Sequence, residues 1–227
     1  MNIENILITD TETIDLNKRF IYDIGLIVAS KNEKGQMIGK LEKQIIVKQV
    51  FDNKMLFNTA HHHKKRPLYT KSLKGRKAKR QHFGQALRHI EMLMKKHNIQ
   101  RVYAYNSPFD KRAFEFTIKY FGTRNIFKGK GWYDIHAIAN NFIHNTEEYK
   151  EWCIENGNVS PKNYLRTNAE KTYAFLIGDP NYKEEHTGLE DSKIELFILN
   201  ECIKRGYDFK HYRKKYIKIK TAKTLDI

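Results

Sequence analysis

The sequence predicts an α/β fold in which a central mixed β-sheet, three antiparallel strands and then parallel ones, is flanked by helices. Two observations lead there. Apolar, β-branched runs crowd into the first 48 residues, separated by one polar turn. Beyond residue 82, stretches with helical periodicity alternate with short strand-like runs, the pattern of a layered α/β domain.

Residues 5–9 form a short apolar run that ends in Asp10 and reads as a buried strand. Residues 20–30 are a second run, and residues 37–48 a third that partly alternates. Between them, residues 31–36 are polar and contain Gly35, which marks a hairpin turn. Gly35, Gly39, Lys40 and Leu41 echo a phosphate-binding loop, but the spacing is one residue short and the Ser/Thr is missing, so this too reads as the turn. Residues 54–82 then lose apolar periodicity and read as a basic connection with a short helix or two. Residues 84–97 restore a helix, with Leu87, Ile90, Leu93 and Met94 on one face. A strand at 101–106 precedes a helix at 108–121, lined by Phe114, Ile118 and Phe121 and stopped by Gly122. A strand at 132–135 leads into an Ala/Ile-rich helix to about Phe142. Residues 147–178 read as two helical pieces, and a last helix runs from about 188 to 205 with Ile194, Phe197, Ile198 and Ile203 as core. This order fits an RNase H-like fold, among other candidates of mixed topology.

With 227 residues, 40% hydrophobic and 12% aromatic, the chain has enough apolar material for a real core. Only 4 Pro and 12 Gly argue against long flexible linkers. Lys plus Arg is 42 against 26 Asp plus Glu, a net charge of +16. Such a surface attracts polyanions, nucleic acid first and an anionic membrane second, though a solvated Lys-rich face is the plain alternative. Cys153 and Cys202 lie far apart, which argues against a disulfide framework or a thiolate zinc site; both are expected as buried packing residues. The opening MNIENILITD lacks a basic leader and a full apolar segment, and no stretch is long enough to span a bilayer. A soluble cytoplasmic protein is therefore expected.

In so basic a chain, acids at the ends of core elements stand out. Asp10 and Glu12, two apart on a strand, share a face. Their repulsion would be relieved by a hard divalent cation such as Mg²⁺ or Mn²⁺, although two solvated acids at a strand end would look the same. Asp110 lies in Asn106-Ser107-Pro108-Phe109-Asp110, a strand-to-helix junction. Here Ser107 is expected as N-cap and Pro108 as first helical residue. The helix dipole alone explains an acid at that place, but so does a ligand site at a strand's C-terminal edge. His186-Thr187-Gly188-Leu189-Glu190-Asp191 has capping-box spacing between Thr187 and Glu190. It would bring the imidazole of His186 near Asp191 across the staple positions, either as a general base beside an acid or as a stabilising surface pair.

Together, Asp10-x-Glu12, then Asn106-x-x-Phe109-Asp110, then His186-x-x-x-x-Asp191 resemble the motifs of the DEDD 3′→5′ exonuclease superfamily, DnaQ-like and RNase T-like, in its His-type (DEDDh) form. The resemblance spans about residues 4–205. It implies Asp10, Glu12, Asp110 and Asp191 as ligands of two Mg²⁺ ions, which Mn²⁺ could replace, and His186 as general base. It implies that Thr11 and Thr13 contact the terminal nucleotide and that Asn106 and Phe109 lie on the substrate side, Asn106 as support rather than chemistry. It implies a domain over 1–206, with a basic insertion near 54–82 and a helical insertion near 143–182, followed by a basic tail at 207–227 that either docks or moves. The activity implied is hydrolysis of single-stranded nucleic acid, DNA favoured over RNA, to nucleoside 5′-monophosphates. The alternative is a nucleic-acid-binding scaffold with a vestigial site, acting with a polymerase or repair partner.

Lys64, Lys65, Arg66, Lys77 and Arg80 belong to a basic cluster that would face phosphates without reading sequence, a solvated loop being the other reading. Tyr69 and Phe83 could stack on bases, Phe83 more naturally in the core. The run His61-His62-His63 is set aside as a metal site, since adjacent histidines seldom converge on one ion without further ligands.

Overall fold

A computed structural model describes residues 5–15, 19–209 and 219. Strands β1 (Asn5–Thr13), β2 (Ile21–Lys31) and β3 (Met37–Val47) form the expected antiparallel meander, turned between Asn32 and Gln36 with Gly35 at φ +81°. The connection that follows contains α1 (Lys48–Phe51), α2 (Lys54–Phe57), a 3₁₀ turn at His63–Lys65, α3 (Arg66–Lys74) and a strand, β4 (Ala78–Gln81). The sequence reading missed β4. It pairs parallel with β3 at the sheet's edge, where only Ala78 is buried and Lys79 and Arg80 face solvent, so it carries no apolar alternation.

Helix α4 (Phe83–Lys96) buries Leu87, Ile90, Leu93 and Met94, as its periodicity predicts. Strand β5 (Arg101–Ala104), α5 (Ser107–Tyr120), β6 (Gly131–Asp134) and α6 (Ile135–Ala139) follow, the last running into a π turn at Asn140–His144. Phe114 and Ile118 are buried and Phe121 is partly so; Gly122 follows at φ +60°. The two helical pieces are α7 (Glu147–Glu155) and α8 (Ala169–Ile177), with a Val159–Leu165 bridge in the stretch between. Helix α9 (Gly188–Lys204) buries Ile194 and Ile198 with Leu199 and Cys202, while Phe197 and Ile203 are only partly covered. Both cysteines are free and buried. Of the basic tail, Tyr207, Phe209 and Ile219 are buried and Asp208 is exposed, and the Ile219 carbonyl accepts the Leu165 amide at 3.0 Å; the other tail residues lie outside the described residues. Among the described residues, no helix is long and apolar enough to cross a membrane.

The sheet order is β4-β3-β2-β1-β5-β6, with β5 and β6 parallel to β1. Period-two alternation sorts its side chains onto two cores. Leu7 of β1 joins the layer of α1–α5, whereas Ile6 and Ile8 join that of α6–α9. The parallel half places the C-terminal ends of β1, β5 and β6 side by side, the edge where open α/β sheets bind ligands.

Candidate active site

Asp10 and Glu12 sit on the last residues of β1, and Asp191 in the first turn of α9. Their carboxylate oxygens lie within 4.8 Å of one another. Asp110 falls outside that group. Its Oδ1 accepts both the Thr11 amide (2.9 Å) and the Thr11 hydroxyl (2.8 Å), which ties α5 to β1 beside Asp10. The turn into α5 is set by Asn106 in the left-handed region at φ +61°, its amide held by Asp134 Oδ1 at 2.9 Å. Asn106, not Ser107, is therefore the cap residue, and Ser107 and Pro108 are the first two helical residues. The expected Ser107 cap is displaced by one because an Asn tolerates positive φ.

Helix α9 reaches the site because two glycines let backbone meet backbone. A Cβ on Gly25 would stand 1.8 Å from the Gly188 carbonyl oxygen, and one on Gly188 would stand 2.6 Å from the Gly25 nitrogen. Gly25 is the cross-strand partner of Asp10, so the helix start is pressed against the very rung that carries the first acid. The Asp10 amide donates to Ser192 Oγ at 3.1 Å, and that hydroxyl donates to the Gly188 carbonyl at 2.7 Å. The capping box expected from Thr187 and Glu190 is not formed. Thr187 makes no side-chain cap bond, and Glu190 pairs with Lys193 at 2.9 Å. Buried Asp23 of β2 takes the role instead, accepting the Gly188 amide at 2.8 Å and Gln44 Nε2 at 2.9 Å.

Removing these acids from water disfavours their charged forms, and crowding adds to it. Burial, then Asp110 and Asp191, hold Asp10 well above the usual carboxylate range. Glu12 is pushed up to about 8 by burial and by Asp23 across the strand pair. Asp110 rises to about 7 through burial, against its Thr11 hydrogen bonds. Asp191 rises to about 9 through burial, Glu184 and Glu12. A fifth acid, Glu195, lies one turn beyond Asp191 on α9 and is raised by burial and Asp110; its Oε1 accepts the Tyr105 amide at 2.9 Å. Asp10 Oδ2, Asp191 Oδ1 and Glu195 Oε2 are buried without a hydrogen-bond partner. Buried oxygens of this kind carry a cost that a coordinated cation would remove, so the donor set fits hard divalent ions.

The histidine side is built from loops. His186 is itself left-handed at φ +51°, and its carbonyl accepts the hydroxyl of buried Tyr69 at 3.3 Å. Its expected partner Asp191 is not the acid it faces. The nearest contact is Glu184, with Nδ1 and Oε2 3.5 Å apart. Burial lowers His186 and raises Glu184 to about 7, so at neutral pH a neutral ring lies beside a carboxyl rather than in a strong ion pair. The ring stacks on His62, centroids 4.6 Å apart at 18°, and both rings come within 4.8 Å of Glu12. His62 is lowered to about 4, by burial first and then by His186 and Lys65. The histidine run set aside from sequence thus delivers one ring to the site.

The basic cluster divides. Lys65 bonds the Glu185 carbonyl and lowers Glu12 and Asp191 electrostatically. Arg66 lies over the Phe51 and Phe57 rings (4.5 and 4.9 Å) with its Nη1 buried and without a hydrogen-bond partner, and Arg80, half exposed, pairs with Asp52 at 3.0 Å. Lys64 and Lys77 are exposed. Tyr69 and Phe83 are fully buried, and neither can stack on a base. Thr11 is spent on Asp110, Thr13 bonds the Asp15 carbonyl at 3.3 Å, Asn106 is exposed and Phe109 lies under the Arg19 guanidinium at 5.2 Å. The sequence reading did not single out Asp23, Glu184, Ser192 or Glu195, and it discounted His62 with its histidine run. Only Glu195 had a usable signal, since an acid four residues after Asp191 shares its helix face with the core.

No family model and no curated protein matches the sequence. Solved structures do share its fold. Exonuclease I of Escherichia coli in complex with a dA16 oligonucleotide superposes with a TM-score of 0.56 at 11% identity, over 90% of this chain and 41% of that one. A moderately thermophilic Exonuclease I from Methylocaldum szegediense gives 0.57 at 12% identity, over 90% and 41%. A structure of SSB/Exonuclease I with the inhibitor CFAM gives 0.58 at 10% identity, over 90% and 42%. The chain thus spans about two fifths of the length of these proteins. The six-stranded sheet with its helical layers has the RNase H-like fold that these Exonuclease I structures share.

Proposed function

We propose that the protein is a metal-dependent 3′→5′ exonuclease of the His-type DEDD superfamily that acts on single-stranded DNA, and less readily on RNA, releasing nucleoside 5′-monophosphates. The observation that carries the reading is the convergence of Asp10, Glu12 and Asp191 within 4.8 Å, with buried, unpartnered oxygens on Asp10 and Asp191. Asp110 stands next to them on Thr11. Single-stranded DNA is favoured because a fold neighbour is a complex with a dA16 oligonucleotide, and the net charge of +16 suits a nucleic-acid substrate of any kind.

Asp10, Glu12, Asp110 and Asp191 would hold two Mg²⁺ ions, with Mn²⁺ as substitute. Bound there, the pair would polarise the scissile phosphate, lower the pKa of water and neutralise the leaving 3′ oxygen. The chain's own part is to place and to move protons. His186, kept neutral by burial, has a ring nitrogen free to accept the proton of an attacking water. The stack with His62 fixes the plane of that ring. Thr11 holds Asp110 in place and Ser192 holds the Asp10 backbone, so the acids need no reorganisation when charge develops. Lys65 adds positive charge at the rim, where a phosphate would arrive.

The test is degradation of 5′-labelled single-stranded DNA and RNA oligonucleotides in Mg²⁺, Mn²⁺ and EDTA. A ladder that shortens from the 3′ end, absent in EDTA, is expected with DNA cleaved faster. Intact oligonucleotides that are nonetheless bound would reject the enzyme.

A further inference from the structure

Beyond the acids of the proposed hydrolysis, a second donor set meets at His186. Glu170 is the second residue of α8, and Glu184 lies in the loop that leads to His186. One carboxylate oxygen from each acid and one ring nitrogen of His186 lie within 4.8 Å of one another. None of the three projects from a mobile end of the fold. The Glu184 amide donates to Glu170 Oε2 at 3.1 Å, which ties the loop to the start of α8, and Lys65 bonds the carbonyl of Glu185 from the opposite side.

Glu184 is the informative residue. Its side chain is only 9% exposed, its Oε2 faces His186 Nδ1 at 3.5 Å, and its Oε1 is buried with no hydrogen-bond partner. A carboxyl taken out of water with one oxygen unpartnered, among two further ligand-type groups, is a position where a cation can replace the proton and satisfy the oxygen. Lys171 supplies part of that charge, with Nζ 3.2 Å from Glu170 Oε1, but it does not reach Glu184 Oε1.

We infer that Glu170, Glu184 and His186 form a transition-metal site, distinct from the Asp10–Glu12–Asp191 cluster, which takes Zn²⁺ and by doing so withdraws the His186 ring. The donor chemistry selects the metal. One imidazole and two carboxylates, with a fourth position open, is a set that suits Zn²⁺. Mg²⁺ prefers six oxygens in an octahedron and gains nothing from the ring nitrogen. The way in is open, because the His186 side chain is 35% exposed. A rival set, Glu12, His62 and His186, has the same size. Its two rings, however, lie stacked at 18°, so their lone pairs run side by side instead of converging on one point.

That zinc binding silences turnover rests on the reading of His186 as general base; that zinc binds does not. The closing experiment therefore separates them. Zn²⁺ is titrated by competition with a chelating dye into the full-length Asp10→Asn/Asp191→Asn double variant, whose acid cluster is disabled. One equivalent is expected. In the same background, Glu170→Gln and Glu184→Gln, each with a native melting curve, should weaken binding about 100-fold, while His62→Phe, which keeps a stacked ring, should leave it unchanged. Affinity untouched by both Gln variants, or lost in His62→Phe, overturns the site. Independently, Zn²⁺ added to the wild-type protein in saturating Mg²⁺ should stop oligonucleotide degradation, and Glu170→Gln should raise the inhibitory concentration about 100-fold. Zinc that binds at one equivalent without slowing degradation keeps the site and overturns its effect on His186. If no degradation occurs even without zinc, the exonuclease reading has failed and the titration still decides the metal site.

Discussion

The two sides of the candidate site are built in different ways. The acid floor rests on backbone: Asp10 and Glu12 on β1, Asp191 and Glu195 on α9, and a glycine-to-glycine contact that fixes one element against the other. The histidine wall rests on side chains: a ring stacked on a ring, a tyrosine hydroxyl on a carbonyl and a lysine on a loop. A floor locked by register tolerates no substitution that moves the backbone. A wall held by stacking can lose a contact and still hold its shape in part. The difference suits the proposed chemistry, in which metal ligands must not move whereas a base must accept and release a proton.

The largest losses are expected from substitutions in the floor. Asp10→Ala or Asp191→Ala should lower turnover by about 10⁴-fold or more with folding intact, measured as single-turnover release of mononucleotide. Either variant at near-normal rates would remove that residue from the floor. Gly25→Ala should come next. The new methyl group would meet the Gly188 carbonyl, so α9 must shift; about 3 kcal/mol of stability and about 100-fold in rate should be lost together. A native melting temperature in this variant would show that the helix start is not pinned there. On the wall, His186→Ala should cost about 10²- to 10³-fold in rate while Mg²⁺ affinity is kept. His62→Ala should cost about tenfold, and His62→Phe should recover most of it by restoring the stack. A recovery that fails would give His62 a role beyond positioning.

The smallest effect is a pH dependence of stability. Between pH 7 and 9 the unfolded chain has all its carboxylates ionised. The folded protein without metal still holds protons on Glu12 and Asp191, whose values lie near 8 and 9, and on Asp10. The folded state therefore binds more protons, and its stability must fall as pH rises through this window. The histidines lowered in the fold oppose this near pH 7, where the unfolded imidazoles still bind some protons, and cease to contribute toward pH 8, where they are neutral in both states. Mg²⁺ should raise the melting temperature most at pH 9 and flatten the slope. A slope of the opposite sign would mean that the acids are already ionised in the metal-free fold.

Legibility followed the same division. The elements of the floor were readable because strand and helix periodicities are local: β1–β3, α4, α5 and α9 fall where apolar spacing puts them, with Asp10 at the end of an apolar run and Asp191 in the motif that opens the last helix. The wall was not. Nothing in the residues near position 62 says that this connection folds back onto a loop more than 120 positions later, and a ring's stacking partner is not a property of its own segment. Asp23 escaped notice for a related reason. It sits inside an apolar strand where an acid looks like noise, and its purpose appears only once the Gly188 amide arrives from the other end of the chain. The misread cap at Thr187 is the same event seen from the helix: spacing matched the rule, but a buried acid outcompeted the local hydroxyl.

The short strand β4, which pattern could not find, has a consequence for how the molecule lives among its own copies. A six-stranded sheet has two open margins, each with unpaired amides and carbonyls that could template a strand from a neighbouring chain. At one margin stands Ala-Lys-Arg-Gln, with Lys79 and Arg80 exposed. A strand of only four residues bearing two cations makes a poor seam for a second copy with the same charges. The composition that hid β4 from the sequence reading thus disfavours strand addition along that margin.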